Sequence, residues 1–186
     1  MMPDRQEVAS SLYGAWRLAC LDENGMGYFN ISVEGFWRSF FAAVLLAPVY
    51  MLVIGQSLMT PEGGFSFWST LVHFITYAAG WILFPLVAFF ATDFLQLGHR
   101  FTALIVAVNW SSILGVGAFL LTSLLAALIQ GPLAVLIGIA MVSGVIVYHW
   151  FVIKTALQTT TSLALAFVFL NGALGWVLVK TAERLT

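Results

Sequence analysis

The sequence predicts an all-α fold: a polytopic helical membrane protein with five transmembrane helices and an N-terminal amphipathic helix. Of its 186 residues, 61% are hydrophobic and 8% are charged, whereas soluble domains are about 25% charged. Within residues 36–179, the stretches between charged side chains, apart from the short connection at residues 94–99, reach the roughly 20 residues that a helix needs to cross a bilayer. The charged side chains there are Arg38, Glu62, Asp93, Arg100 and Lys154. Lipid is therefore the expected solvent for most of the chain.

Composition divides the chain into three segments. Residues 1–35 form a polar cytoplasmic segment with the amphipathic helix, residues 36–179 the five-helix transmembrane domain, and residues 180–186 a short tail. The first eleven residues are polar, unlike a cleavable signal peptide, so the first span is expected to act as an uncleaved insertion signal. Cys20 is the single cysteine, which excludes an intrachain disulfide and a cysteine metal cage.

The N-terminal helix is predicted from a capping pattern. Asp4 is the expected cap, and Glu7 can reach back to its amide. One side of this helix carries Val8, Leu12, Ala15, Trp16 and Ala19. Such a face is typical of a helix at a membrane surface, with Trp16 as its anchor. The alternative is a short helix that packs on the protein's own cytoplasmic loops.

The five predicted spans cover residues 36–55, 67–90, 101–129, 133–153 and 162–179. Trp37 is expected in an interfacial belt, while Pro48 and Pro85 predict kinks. Turns are predicted at residues 60–64 and 130–132. The third run exceeds a perpendicular crossing and must tilt, bend or protrude. The fifth is the shortest and barely long enough to span.

Basic residues predict the orientation, because lysine and arginine in short loops favour the cytoplasmic side. A cytoplasmic N-terminus places Arg5, Arg17, Arg38, Arg100 and Lys154 inside. Only Lys180 and Arg184 then lie outside. A multi-pass protein of the inner, bacterial-type cytoplasmic membrane is the expectation. If the last segment failed to span, every basic residue would lie inside.

Small residues recur at every fourth position of the third predicted helix. They are Ala103, Ala107, Ser111 and Gly115. Such a row lets another helix backbone approach closely, and Ala140 and Gly144 on the fourth helix are the predicted facing surface. Packing within one molecule is the favoured interpretation, and a groove that binds a partner is the alternative.

Polar side chains within the spans are few. Asn109 and Ser112 lie on the third predicted helix and Asn171 on the fifth. Their expected role is structural, since interhelix hydrogen bonds contribute on average about 0.6 kcal/mol in membranes. The alternative is a polar pocket for a small ligand.

His73 and His149 raise the question of haem or metal. His73 lies near the outer end of the second predicted helix and His149 near the cytoplasmic end of the fourth. At 1.5 Å per residue they should differ in depth by roughly 12–15 Å, too far for one shared iron. His99 lies at the same level as His149, which leaves a weak metal cluster there as an alternative. No cofactor or metal is therefore predicted.

The sequence contains no phosphate-binding glycine loop, serine-hydrolase elbow or zinc-protease helix, and no carboxylate pair at one depth. We therefore expect a non-enzymatic protein, a structural, accessory or interaction subunit. Its expected partners are lipid and either a protein partner or a second copy, and a net charge of −1 argues against nucleic acid. One alternative is a transporter or channel-like protein for a small neutral or apolar substrate, from Pro48, Pro85, Asn109 and Asn171. The second alternative, from the histidines alone, is a haem-binding redox subunit.

Residues 11–15 read Ser-Leu-Tyr-Gly-Ala, ahead of the first span. The Yip1-like membrane proteins often carry Asp-Leu-Tyr-Gly-Pro at this place, and the central three residues agree. Five spans, a cytoplasmic N-terminus and a short outward tail also resemble the layout of that family. The resemblance implies a non-enzymatic five-span membrane protein. Eukaryotic members of the family take part in vesicle trafficking.

Overall fold

The computed structural model describes residues 2–58, 66–129 and 131–186. Over these residues the chain is almost entirely helical and has no strand, so the all-α prediction is confirmed. The α-helices are α1 (Arg5–Ala19), α2 (Val33–Ser39), α3 (Phe41–Ile54), α4 (Phe67–Phe94), α5 (Phe101–Leu128), α6 (Pro132–Leu157) and α7 (Thr161–Leu185). Short 3-10 segments lie at Glu23–Tyr28, Gly55–Leu58 and Gly98–Arg100. The turn predicted at residues 60–64, and Gln130 of the turn at 130–132, lie outside the described residues.

Five helical stretches of the described chain are long and apolar enough to cross a membrane. They are Val33–Ile54, Phe67–Phe94, Gly98–Leu128, Pro132–Leu157 and Thr161–Leu185. Number and order agree with the predicted spans, but the last stretch has 25 residues and is not the short one expected. Residues 180–186, predicted as a tail, continue α7 as far as Leu185. Lys180 and Glu183 form an i,i+3 ion pair there at 2.6 Å, which suits an exposed helix end.

The first span is interrupted at Phe40, between α2 and α3. Ser39 Oγ donates a hydrogen bond to Phe36 O at 2.7 Å, a local bond that competes with the helical ladder. The Phe40 N–H turns to Trp37 O at 3.4 Å, in the tighter i→i−3 pattern. Pro48 and Pro85 both lie inside helices.

Helix α5 lies at the centre of the bundle. It packs against α1, α2, α3, α4 and α6. Its residues 103–111 are all buried, including Trp110, which is 2% exposed. A helix buried on every side is apolar all round, and this segment is apolar apart from Asn109 and Ser111. Residues 112–128 of α5 and residues 132–147 of α6 are exposed or only partly buried.

The N-terminal segment packs on this core. Ala15 and Leu18 of α1 are fully buried, and Tyr148 Oη donates to Ala15 O at 3.1 Å. The predicted apolar face is therefore rotated, because Ala19 and Trp16 are exposed instead. Small side chains such as Ala15 let α1 approach α5 and α6 closely, and this close approach explains the rotation. In the structure α1 contacts the segment Glu23–Tyr28 and the helices α5 and α6, and its place at a membrane surface stays a prediction.

One ion pair attaches the N-terminal segment to α2, and a second lies within the segment. Glu7 accepts from Arg38 Nη1 at 2.8 Å, which joins α1 to α2. Arg17 Nε donates to Asp22 Oδ2 at 2.6 Å, and this hydrogen bond lowers the pKa of the Asp22 carboxyl. Arg17 thereby ties α1 to the turn that follows it.

Three helices end in the same motif, a left-handed residue that is not glycine. Within the described residues Leu21, Gln96 and Gln158 have φ between 50° and 60°. In each case the next N–H binds the carbonyl five residues earlier, as in a Schellman motif. These ends of α1, α4 and α6 lie on the side of the bundle where α5 begins.

We expect Gly25→Ala to destabilise the folded chain by about 1–3 kcal/mol, as overpacking does. A Cβ at Gly25 would lie 2.6 Å from Gly14 O and 2.9 Å from Leu18 Cγ, so the 3-10 segment would be pushed off α1. Thermal unfolding in detergent measures the effect. Gly27→Ala in the same segment is the matched control, because nothing lies within 4 Å of its added Cβ. Equal melting temperatures for the two variants would contradict this packing.

Candidate functional site

A cavity of about 250 Å³ lies between α3, α4, α5 and α7. Aromatic side chains line one part of it and amide and hydroxyl side chains another, and no charged residue of the described chain lines it. We call it the amide cavity. Its polar and aromatic lining is Tyr50, Thr76, Tyr77, Trp81, Phe84, Asn109, Ser112 and Asn171. The structure thus brings together the three polar residues that the sequence singled out on two separate helices.

Asn109 is held in place by a buried hydrogen-bond chain. Its Nδ2 donates to Ser39 Oγ at 2.8 Å, and Ser39 Oγ donates in turn to Phe36 O at 2.7 Å. These bonds fix the orientation of the amide. Oδ1 of Asn109 has no hydrogen-bond donor among the described residues, so it remains an acceptor at the cavity wall.

Asn171 and Ser112 supply further polar groups. The side-chain amide of Asn171 makes no hydrogen bond within the described part of the chain. Ser112 Oγ donates to Val108 O at 2.8 Å, which leaves its lone pairs as acceptors. Unpartnered polar groups in apolar surroundings are costly. Occupation of the cavity by a molecule with donors and acceptors would remove that cost.

The aromatic wall comes from α3 and α4. The rings of Tyr50 and Tyr77 are 4.6 Å apart between centroids, and Trp81 lies edge-on to Tyr77 at 6.3 Å. Tyr77 Oη donates to Ala43 O at 2.6 Å, which ties the wall to α3. Sequence reasoning missed these residues, because aromatic side chains are common in apolar helices and their spacing carries no signal.

Backbone features leave room for the cavity. Gly175 lines it, and a Cβ there would meet no atom within 4 Å. Pro85 also lines it and has no N–H. The carbonyl of Trp81, four residues earlier, therefore lacks its usual helical donor. The described lining of the cavity can thus offer a ligand ring faces, amide groups and hydroxyl oxygens, all uncharged.

The two histidines lie in different surroundings. His73 is beside Tyr50, with Nδ1 3.4 Å from the phenol oxygen. His149 Nδ1 lies 2.9 Å from Val145 O, and its ring faces Gly115. Over the residues that the structure describes, no three His, Cys, Asp or Glu side chains are grouped to hold a metal ion.

The small-residue row lies at the core of the bundle. Ala103, Ala107 and Ser111 are buried, and Gly115 borders α6, where its added Cβ would lie 3.2 Å from His149 Cε1. Helix α6 contributes Tyr148, Val152 and Ala156 to the same core.

The facing surface predicted on α6, Ala140 and Gly144, stays a prediction, although Gly144 lines a cavity with Gly115 and Gly117 of α5. Ala140 and Gly144 are exposed, and an added Cβ at Gly144 would meet nothing within 4 Å. Helix α6 is apolar on every side, so its sequence does not indicate which face meets α5. Trp16 and Trp37 are exposed at 58% and 65%, and their roles as membrane anchors stay predictions.

No protein family, no curated protein and no solved structure matches this chain. The resemblance to the Yip1-like layout therefore stays a prediction, and functional conclusions rest on the residues of this chain.

We expect Gly115→Leu to lower the melting temperature in detergent, because the new side chain must displace the His149 ring. Overpacking of this kind costs about 1–3 kcal/mol. Gly117→Leu is the control, since it lies on the same helix, is exposed and has no atom within 4 Å of its added Cβ. A Gly115→Leu variant as stable as Gly117→Leu would show that α5 and α6 do not approach at this point.

Proposed function

We propose that this chain is a non-enzymatic, multi-pass protein of a cytoplasmic membrane that carries or conducts a small neutral solute through the amide cavity. The observation that carries the proposal is that two amides, Asn109 and Asn171, lie with an aromatic wall in a cavity whose described lining is uncharged. Carrier sites of this kind lie within the bundle, beside interrupted helices. Pro85 of α4 lies at the cavity wall.

Exposed apolar surface supports the membrane location. In the most apolar stretch of α4, only 11% of the residues are buried inside the bundle. The most apolar stretch of α7 has the same buried share. Large side chains such as Phe90 and Phe169 are 64% and 69% exposed. Soluble monomers rarely expose apolar patches beyond a few hundred Å², whereas a hydrocarbon core about 30 Å thick would cover these helices.

The chemistry of the lining supports a neutral ligand. An ion would need an opposite charge or several converging dipoles to replace its hydration. The cavity instead offers amide acceptors and donors, hydroxyl oxygens and ring faces. Hydroxyl, amide or carbonyl groups on a small apolar body match this set. A volume near 250 Å³ restricts the solute to a small one.

A cavity-filling variant tests the proposal. We expect Gly175→Phe to reduce the flux of small neutral solutes into proteoliposomes by about tenfold or more, by occupying the space between α4, α5 and α7. Radiolabelled glycerol and indole serve as polar and aromatic probes. Gly172→Phe is the matched control, because Gly172 is an exposed residue of α7 outside the cavity lining. Flux equal to that of protein-free vesicles for the wild type, or unchanged flux in Gly175→Phe, would contradict a conducting cavity.

The membrane orientation that we propose is N-terminus in and C-terminus out. Arg5, Arg17, Arg38, Arg100 and Lys154 support it through the preference of basic residues for the cytoplasm. Reporter fusions measure it, and the expected order of signals is outside, inside, outside, inside, outside. The fusion points are Leu58, Gln96, Ile129, Gln158 and Thr186. A cytoplasmic signal after Thr186 would contradict five crossings.

A second candidate function is a structural or accessory subunit, and the far half of the α5–α6 hairpin favours it. Gly117, Gly138 and Gly144 there have no atom within 4 Å of an added Cβ. In membranes such small-residue surfaces let a helix of a partner or of a second copy pack closely. Gly144→Leu would then abolish co-purification of that partner or shift the oligomeric state, without changing solute flux.

A further inference from the structure

A second cavity, of about 490 Å³, lies at the end of the bundle where α5 begins and α6 ends. The 3-10 segment Glu23–Tyr28 borders it on the remaining side, through Glu23, Asn24 and Met26. Arg100 and Lys154 both line it. We call it the basic cavity. It is separate from the amide cavity, with which it shares no lining residue.

Among the described residues, no carboxylate forms an ion pair with either basic side chain. Ion pairs in the described residues join Arg17 to Asp22, Arg38 to Glu7 and Lys180 to Glu183, and neither Arg100 nor Lys154 takes part. Arg100 donates through Nη2 to the neutral Gln158 Oε1. The remaining guanidinium N–H groups of Arg100 have no acceptor in the described chain. Glu23 is the carboxylate among the described lining residues, and it is exposed.

Neighbouring groups position both cations. Lys154 Nζ lies 5.3 Å from the centroid of the Trp150 ring, a cation–π contact that holds the ammonium at this end of α6. Gln158, which binds Arg100, has φ 50° and ψ 51°. In the turn at Gln158, backbone N–H groups donate to the carbonyl oxygens of Lys154 and Thr155. These two oxygens are therefore not free acceptors beside the cations.

Hydroxyl groups complete a binding site for an oxyanion. Thr155 Oγ1 is buried and has no hydrogen-bond partner among the described residues. Thr159 and Asn24 also line the cavity. An arginine fork, an ammonium and hydroxyl donors form the set that recognises phosphate, and the planar fork binds it through two parallel bonds.

We propose that the basic cavity binds a phosphate group and that this phosphate belongs to the headgroup of an anionic membrane lipid. The lipid source rests on the proposed membrane location. The cavity lies where two membrane-length helices end, which is the level of headgroups in a bilayer. Basic pockets between transmembrane helices on the cytoplasmic side bind lipid headgroups, because their cations attract anionic phosphates at that level. The bound lipid would join the N-terminal segment to α5 and α6.

The experiment uses the full chain in a neutral detergent. Native mass spectrometry measures binding of phosphatidylglycerol, with phosphatidylcholine as the zwitterionic comparison and glycerol phosphate as the soluble one. We expect the wild type to bind phosphatidylglycerol more tightly than phosphatidylcholine or glycerol phosphate. The double variant Arg100→Gln, Lys154→Gln should lose about tenfold or more in affinity for phosphatidylglycerol, because charged hydrogen bonds are lost. Arg5→Gln is the matched control, because Arg5 is an exposed cation of α1 outside the cavity.

A second variant, expected to bind the anionic lipid more tightly, distinguishes loss of the site from misfolding. Glu23→Gln removes a carboxylate from the cavity, so it should strengthen binding of the anionic lipid and leave the zwitterionic one unchanged. Equal affinity of the double variant, Arg5→Gln and wild type for the anionic lipid would overturn the site. Binding of glycerol phosphate at the same residues, without a preference for the lipid, would overturn the lipid source. Weaker binding by Glu23→Gln would overturn the electrostatic basis.

Discussion

Close packing around residues 103–111 of α5 sets the arrangement of the other helices. This segment is buried on every side, and small side chains at Ala103, Ala107 and Ser111 keep its surface narrow enough for several neighbours. A helix surface of this kind lets backbones approach, and dispersion contacts then accumulate over many atoms. The N-terminal segment also depends on residues 103–111, because Ala15 and Leu18 pack into the core around α5.

Both candidate sites follow from the position of α5. Asn109 and Ser112 lie on its cavity side and meet α3, α4 and α7, while Arg100 and Ala103 lie at its beginning, opposite the end of α6. Charge separates the two sites. The amide cavity lies along the long helices, and its described lining is uncharged, since a buried charge without a partner is costly. The basic cavity lies at the helix ends, where cations remain compatible with water and with lipid phosphates.

Much of the secondary structure could be predicted, and part of the site. Runs of apolar residues and the breaks at turns marked five long helices, since backbone groups in apolar surroundings must pair within the helix. Asn109, Ser112 and Asn171 stood out as polar residues in such runs. Tyr50, Tyr77 and Trp81 did not stand out, because an aromatic ring in an apolar helix is equally suited to lipid, core or cavity. The continuation of α7 past Val179 was missed, because a helix end can stay helical after its apolar run stops.

The sequence by itself determined the helical class, the number and order of the long helices and the short list of polar groups within them. Only the tertiary structure decided which faces meet. Helix α6 is apolar all round, so no pattern of polarity indicated that Tyr148 and Val152 would face the core while Ala140 and Gly144 would not. The rotation of α1, with Ala15 buried and Trp16 exposed, was settled likewise by close contact with α5 and α6. Steric fit between helices makes that choice, and steric fit depends on residues far apart in the chain.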